Sequence, residues 1–353
     1  SPPLLACLFM PLTWISENAA IVLWCLFSVF LVAWIVRRSH EVLTGLTLSQ
    51  LKPSTRWAVG GLSVLFSARF ILHHLDRGQA NIAAMALLLL GMSVMHRRPA
   101  QALLGGALIG FSIAFKAITL PFALWYLLKD RRVFAGIGVG LVIGLLLPGL
   151  LIGMQSNLFL LNHWIDNYLL DSRQQQANLA LGYNFSIHAQ LERYFTPVDS
   201  FTIGSQPRSL MLFHVPDSWL RLVDWVIRLG LAVAITGFYF RFRKSPAIAL
   251  QGGIALVFAL TPLFFPTAQK NYFVFLLPAY IYVFYVLYTL KVKGRVVAWL
   301  TIASFLVASV TAEAIVGDTI SDMLAAAGCI LLGNVLLAVA VLRAAWLLER
   351  VEP

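Results

Sequence analysis

Charge is scarce in this sequence. Only 12% of its 353 residues are Asp, Glu, Lys or Arg, whereas in soluble domains roughly a quarter are. So few ionic groups cannot clothe a water-exposed surface, so the one large or two small soluble domains that the length alone suggests are excluded. Acidic residues are the scarcer kind: 15 against 26 basic ones, a formal net charge of +11. That surplus does not describe a nucleic-acid binder, because the basic residues form no single stripe and sit in short clusters between apolar runs. Cysteine is nearly absent, and Cys7, Cys25 and Cys329 all lie inside apolar stretches, where they read as small buried hydrophobes rather than disulfide partners or metal ligands. There is no phosphate-binding P-loop, no dinucleotide glycine fingerprint, no H-E-x-x-H zinc helix and no G-x-S-x-G elbow. No cleavable signal peptide is visible, and the chain starts at Ser1 without a methionine, so a missing upstream segment is expected. The lack of an internal repeat argues mildly against an inverted-repeat transporter.

What fills the space is apolar. Hydrophobic residues make up 60% of the chain, and the mean hydropathy is +0.83. Runs of roughly 17–25 apolar residues, each able to cross a hydrocarbon core of ~30 Å, recur from end to end. Backbone polar groups in lipid must be paired within their own segment, so these runs are helices. With Gly, Pro and charge as punctuation, the reading is an all-α polytopic integral membrane protein with about eleven transmembrane helices and one interfacial helix. The crossings fall at about 19–36, 57–72, 80–95, 101–115, 117–128, 133–154, 221–240, 247–265, 272–290, 296–314 and 323–347. Pro3 to Ile15 is too short to span and reads as re-entrant or interfacial; the short 101–115 and 117–128 pieces also fit a broken pair dipping in from one face. Residues 1–353 read as one transmembrane domain with a large loop at about 155–220.

Orientation follows from Lys and Arg, which accumulate on the cytoplasmic side. Arg37, Arg38, Lys52 and Arg56 share one side with Arg97, Arg98, Lys129, Arg131 and Arg132. Arg241, Arg243, Lys244, Lys291, Lys293, Arg295, Arg343 and Arg350 fall on that side too. These clusters alternate correctly with the crossings, which makes this face and the C-terminus cytoplasmic. The opposite, outer face then carries His73 to Gln79, the Lys116 turn, the 155–220 loop, Pro266 to Asn271, and the turn around Asp318 and Asp322. The long loop is polar and aromatic, with Asp166, Asp171, Gln174–Gln176, Asn184, His188 and Arg193; it has too many aromatics for a disordered segment.

Polar groups at membrane depth are costly and each needs a reason. The run His73-His74-Leu75-Asp76-Arg77-Gly78-Gln79-Ala80-Asn81 enters a crossing from outside. It reads either as a helix cap with interfacial polar residues or as a turn whose following N–H groups hold an anion. Lys116 stands between two apolar runs, as a snorkelling lysine or as a cation for a phosphate at the membrane surface. Phe264 to Tyr272, containing Gln269, Lys270 and Asn271, is a polar hairpin that a plain outer loop explains equally well. Arg69, inside an apolar run, reads as an interior ion pair or a snorkelling side chain. Together these features suit an enzyme acting on a lipid-linked phosphorylated substrate at its outer face.

An ordered series of motifs carries a family resemblance. Ser1-Pro2-Pro3-Leu4-Leu5, Gly78-Gln79-Ala80-Asn81, Ala114-Phe115-Lys116 through Pro121 with Arg131-Arg132, Gly182-Tyr183-Asn184-Phe185-Ser186, and Thr261-Pro262 to Pro278 follow one another along about four fifths of the chain. In that order they resemble the bacterial polyprenol-phosphate-sugar glycosyltransferases of family 87, of the GT-C structural class. The sequence departs from the family where Gln269, Lys270 and Asn271 stand in place of late-hairpin histidines, and where Phe185 replaces a glutamine. The family's usual base is an aspartate in the first outer loop. The resemblance begins beyond that loop, so the base is expected upstream of Ser1, with Asp76 as the nearest internal stand-in.

The resemblance implies transfer of mannose, or else arabinofuranose, from a polyprenyl-phosphate donor to a hydroxyl of a lipid or glycan acceptor at the outer face of a bacterial inner membrane. A carboxylate deprotonates the acceptor, and the leaving phosphate needs cations rather than a proton. Lys116, Arg77 and Lys270 are the implied donor-phosphate ligands, and Gln79, Asn81, Asn184, His188 and Gln269 the sugar or acceptor ligands. No metal and no cofactor are expected; the partners are the donor, the acceptor and membrane lipid, without nucleic acid. Two other readings stand beside this one. A secondary transporter or flippase would need polar residues running through the midplane, and a degenerate glycosyltransferase would serve as an assembly partner.

Overall fold

The computed structural model describes residues 2–166, 184–203, 206–290 and 294–351. Ser1, Asp171, Gln174–Gln176, Gly182, Tyr183, Lys291 and Lys293, which figure in the sequence reading, lie outside the described residues. The described residues are all-α apart from one small antiparallel hairpin, Phe201–Ile203 with Gln206–Arg208.

Seven helices among the described residues are long and apolar enough to cross a membrane, and five shorter apolar helices accompany them. Each of the eleven expected crossings coincides with one of these twelve, and Pro3–Trp14 supplies the short additional helix. The chain divides into two compact units, Ser1–Leu48 with His74–Gln174, and Ser49–His73 with Gln175–Pro353.

In the first unit, α1 (Pro3–Phe9) precedes α2 (Glu17–Thr44), which Ser16 opens by accepting the Ala19 N–H on its hydroxyl. The last turn of α3 (Pro53–Asp76) leads through Gly78 into α4 (Asn81–Arg97). Then come α5 (Ala102–Phe115), α6 (Pro121–Lys129), α7 (Arg131–Ile152) and α8 (Met154–Trp164). Helices α5 and α7 meet along glycines: a Cβ on Gly106 or Gly110 would run into the carbonyls of Val133 or Ile137, and one on Gly140 into that of Ala107. Without side chains between them the two backbones touch, which is how helices associate where lipid competes equally well for apolar side chains. Glu41 joins α2 to α4 by an ion pair to Arg97 at 2.9 Å, and it is held from its own helix by Arg38 at 2.5 Å.

In the second unit, α9 (Ile187–Phe195) is amphipathic and precedes the hairpin, β1 and β2. The helices α10 (Asp217–Phe242), α11 (Pro246–Leu260), α12 (Leu277–Tyr288), α13 (Arg295–Ala308), α14 (Asp318–Ala326) and α15 (Cys329–Val351) follow. The spans containing α11 and α12 are buried along most of their length, whereas α10 exposes Trp219, Leu222, Trp225, Val226 and Leu229. Such an apolar patch is a liability in water and ordinary against lipid. One chain of buried hydroxyls pairs internally: Tyr280 lies 2.8 Å from Ser304, which donates to the Gly333 carbonyl. A bidentate pair from Arg241 to Glu349, at 2.6 and 2.7 Å, joins the C-terminal ends of α10 and α15. Arg69 makes neither an ion pair within the described residues nor an excursion to the surface. It donates to the Ala308 carbonyl at the end of α13 (2.6 Å), to Thr311 (2.8 Å) and to Ser321 (3.3 Å), and so closes a helix end whose carbonyls lack intrahelical partners.

Candidate functional site

In the first unit the site forms where two helix starts meet. Gly78 adopts φ +55°, which a side chain would disfavour. The turn is closed by Gly78 N–H donating to Leu75 O (3.1 Å) and Gln79 N–H to His74 O (3.2 Å). It delivers Gln79 to the threshold of α4. Across from it, α5 stops at Lys116, whose backbone is extended (φ −155°, ψ 115°) before a short 3₁₀ turn, Ala117–Thr119. Ser112, near the end of α5, donates to the Ala84 carbonyl of α4 at 2.8 Å and lies 3.1 Å from Thr119, which fixes the break. The Lys116 ammonium then donates to Gln79 Oε1 at 3.1 Å. Lys116 is 9% exposed, so this cation is folded inward.

Beneath this pair lies an apolar bed of Leu4, Ala80, Ala84, Ala114 and Phe115. Phe115 also lines a cavity of about 690 Å³ bounded by apolar side chains, among them Phe9, Leu23, Trp24, Phe27, Phe30 and Leu87. Leu23, Phe27 and Phe30 are about half exposed, so the cavity is a groove open along α2. Asp76 and Arg77 are exposed and pair with each other at 3.4 Å, while Asn81 is fully buried at the first turn of α4.

In the second unit, Asn184 is buried and its amide ties two loops. Its Oδ1 accepts from Ser186 N–H (3.0 Å) and Ala268 N–H (2.9 Å), and its Nδ2 donates to Pro266 O (3.3 Å). Phe185 N–H donates to Ala268 O at 2.6 Å, so the Asn184–Ser186 strand of chain is laced to the 266–268 hairpin. Lys270 Nζ stands 5.7 Å from the Phe185 ring centroid, and the Arg193 guanidinium carbon 5.8 Å from the same centroid. Arg193 donates to the Asn184 carbonyl at 2.6 Å. Burial lowers its guanidinium to about 10, so it remains charged at neutral pH. Gln269 is exposed and accepts from Asn271 at 3.4 Å. From the same helix α9, Gln190 and Tyr194 donate to the carbonyls of Ala326 and Ala327 at 2.8 and 2.9 Å. His188 stands between two carboxylates, 3.3 Å from Glu192 and 3.8 Å from Asp224, and Asp224 is also paired with Arg228 at 2.6 Å.

The model of glycosyltransferase family 87 matches residues 2–266, most of the chain. The chain belongs to that family. No curated protein and no solved structure matches it. The glycosyltransferase is thus a membrane-embedded transferase whose helices set polar side chains at helix breaks and loop platforms.

Of the residues singled out in its sequence, the glycosyltransferase brings Gln79 and Lys116 into direct contact, pairs Asp76 with Arg77, and places Asn184 on the hairpin that carries Gln269 and Lys270. Glu192, Asp224 and Arg228, which surround His188, carried no signal in the sequence reading. An acidic or basic residue is ordinarily a solvated one, and only the fold shows buried Asp224 gathered with half-buried Glu192 and Arg228.

Proposed function

We propose that this glycosyltransferase transfers mannose from a polyprenyl-phosphate donor to a hydroxyl of a lipid or glycan acceptor, on the outer face of a bacterial inner membrane. The observation that supports this reading is the junction of an inward-folded cation with an apolar groove. Lys116 reaches Gln79 Oε1 at 3.1 Å, and its sequence neighbour Phe115 lines the groove of about 690 Å³. A phosphate head with a long apolar tail is the chemistry such a pair suits: each methylene removed from water contributes ~0.8 kcal/mol, and the ammonium supplies charge-assisted hydrogen bonds to the head.

In the proposed reaction the acceptor oxygen attacks the anomeric carbon and the bond from that carbon to the phosphate oxygen breaks. The polyprenyl phosphate leaves with the electron pair. The acceptor proton passes to a carboxylate, for which Asp76, exposed on the turn that delivers Gln79, is the proposed acceptor within the chain. Lys116 neutralises charge that grows on the leaving phosphate, and Arg77 attracts the head to the same turn. Gln79 and Asn81 are proposed to hold sugar hydroxyls.

The test is transfer of labelled mannose from polyprenyl-phosphate mannose in membranes that contain the full natural protein. Removal of a group that stabilises charge in the transition state costs ~10²–10³ in turnover, and Lys116→Ala is expected to lose that much with little change in the amount of folded protein. Turnover equal to that of the unaltered protein removes Lys116 from the site. No product from either a mannose or an arabinofuranose donor overturns the assignment of the donor.

A further inference from the structure

Several arginines of this protein are answered where they stand. Arg38, Arg97, Arg228 and Arg241 are paired with carboxylates. Arg241, Arg243 and Arg350 lie at the C-terminal ends of α10 and α15, where unpaired carbonyls carry partial negative charge. Arg98, Arg131 and Arg132 are set the opposite way. Arg131 and Arg132 are the first two residues of α7, and Arg98 precedes the 3₁₀ turn Pro99–Gln101 that opens α5. Unpaired N–H groups already make a helix start positive, so these guanidiniums add like charge to like charge. All three residues are exposed, and their side chains make no hydrogen bond or ion pair among the described residues.

The packing of α5 on α7 joins the two starts into one patch. The helices run parallel, with the Leu103 carbonyl against Gly136 and the Val133 carbonyl against Gly106. Arg98 is five residues before Leu103 and Arg131 five before Gly136, so the three arginines share one level. Asp130 belongs to the same patch, where its carboxylate caps α7 by accepting the Arg132 N–H at 2.9 Å. Exposed Lys129 adds a fourth cation, so four positive side chains are set against that one carboxylate. Within the first turns of the two helices, Leu103, Leu104 and Phe134 expose their apolar side chains, the two leucines by about half.

We infer that Arg98, Arg131 and Arg132, with the apolar border of Leu103, Leu104 and Phe134, bind an anionic phospholipid of the bilayer. A basic surface between neighbouring membrane helices suits a phosphate headgroup, and guanidiniums meet phosphate through two parallel hydrogen bonds. The apolar border selects the class of anion: acyl chains cover it, and a water-soluble anion leaves it bare. The inference rests on neither the proposed donor nor the proposed reaction.

The test reads lipid binding to the purified full protein in dodecyl maltoside, by native mass spectrometry and by melting temperature. The probes are cardiolipin, phosphatidylglycerol and, as the zwitterionic control, phosphatidylcholine. Retention of the two anionic lipids, with a raised melting temperature, is expected, and phosphatidylcholine should do neither. Arg98→Gln, Arg131→Gln and Arg132→Gln should each weaken cardiolipin binding about fivefold, and the three together on the order of 100-fold. The triple variant should melt no lower than the natural protein when lipid is absent, because the cations it loses sit at the unfavourable helix end. Replacing the three by lysine keeps the charge and should retain most of the binding. Arg243→Gln combined with Lys244→Gln removes exposed cations from the end of α10 and should leave cardiolipin binding unchanged. Equal retention of phosphatidylcholine, or cardiolipin binding unaltered in the triple variant, overturns the site. So does an equal loss in the Arg243 and Lys244 variant. Farnesyl phosphate binding more tightly to this patch than phosphatidylglycerol would assign it to a prenyl phosphate and overturn the phospholipid.

Discussion

At the residue scale, Asn184 holds three backbone groups from two separate segments with one amide. Leaving buried backbone donors unpaired costs ~1–3 kcal/mol, so Asn184→Ala is expected to lower unfolding stability by about that amount, read from a detergent thermal melt. A melt identical to that of the natural protein would show that other groups hold the hairpin. The sequence made Asn184 visible as an amide in an aromatic loop, but nothing in it distinguishes an amide that binds sugar hydroxyls from one that ties a hairpin. Lys116 and Gln79 were legible for a simpler reason: a cation and an amide between apolar runs stand out wherever they point. Arg193 was equally plain as a letter and silent as a feature, because its meaning lies in its sharing the Phe185 ring with Lys270, a relation across many residues of chain.

At the scale of elements, hydropathy located the apolar spans, missed the helices α8 and α9 inside the long loop, and misplaced several ends. The first crossing was expected to stop near residue 36, where Arg37 and Arg38 begin, yet α2 continues to Thr44. Charge marks where a helix leaves the lipid, not where its hydrogen bonds end, and Glu41 gives the extension a use by pairing with Arg38 and Arg97. The contact of α5 with α7 was hidden for a different reason, since a glycine in a membrane helix reads the same whether or not another backbone touches it. The two cases are separable by experiment. Gly140→Val drives a side chain into the Ala107 carbonyl, whereas around Gly138 there is nothing within 4 Å. Overpacking of this kind costs ~1–3 kcal/mol or more. Gly140→Val should therefore lower the melting temperature and the yield of folded protein while Gly138→Ala leaves both unchanged. Equal behaviour of the two variants would mean that the helices are not in contact there.

At the scale of the whole molecule, the net charge of +11 is an address rather than one continuous binding surface, distributed over loop clusters that alternate with the spans. That alternation predicts sidedness. In a background without the three native cysteines, Ser209→Cys should react with an impermeant thiol reagent in intact cells, and Arg132→Cys should react only after lysis; both positions are exposed. The opposite pattern would invert the protein in its membrane and remove the outer-face assignment with it. The all-α architecture was fully legible in the sequence because lipid permits so few solutions. The site was legible only in part, because its geometry depends on which loops the helices bring side by side.

For the donor proposed above, the groove along α2 has a consequence for how the enzyme meets it. Leu23, Phe27 and Phe30 line the groove and are themselves about half exposed, so under the proposed function the donor's prenyl chain enters sideways, without first leaving the bilayer. Encounter then becomes a two-dimensional search within one leaflet. What governs occupancy is the mole fraction of donor among lipids, not its concentration in the aqueous volume. Adding inert lipid or detergent at constant donor dilutes the substrate as effectively as adding water dilutes a soluble one.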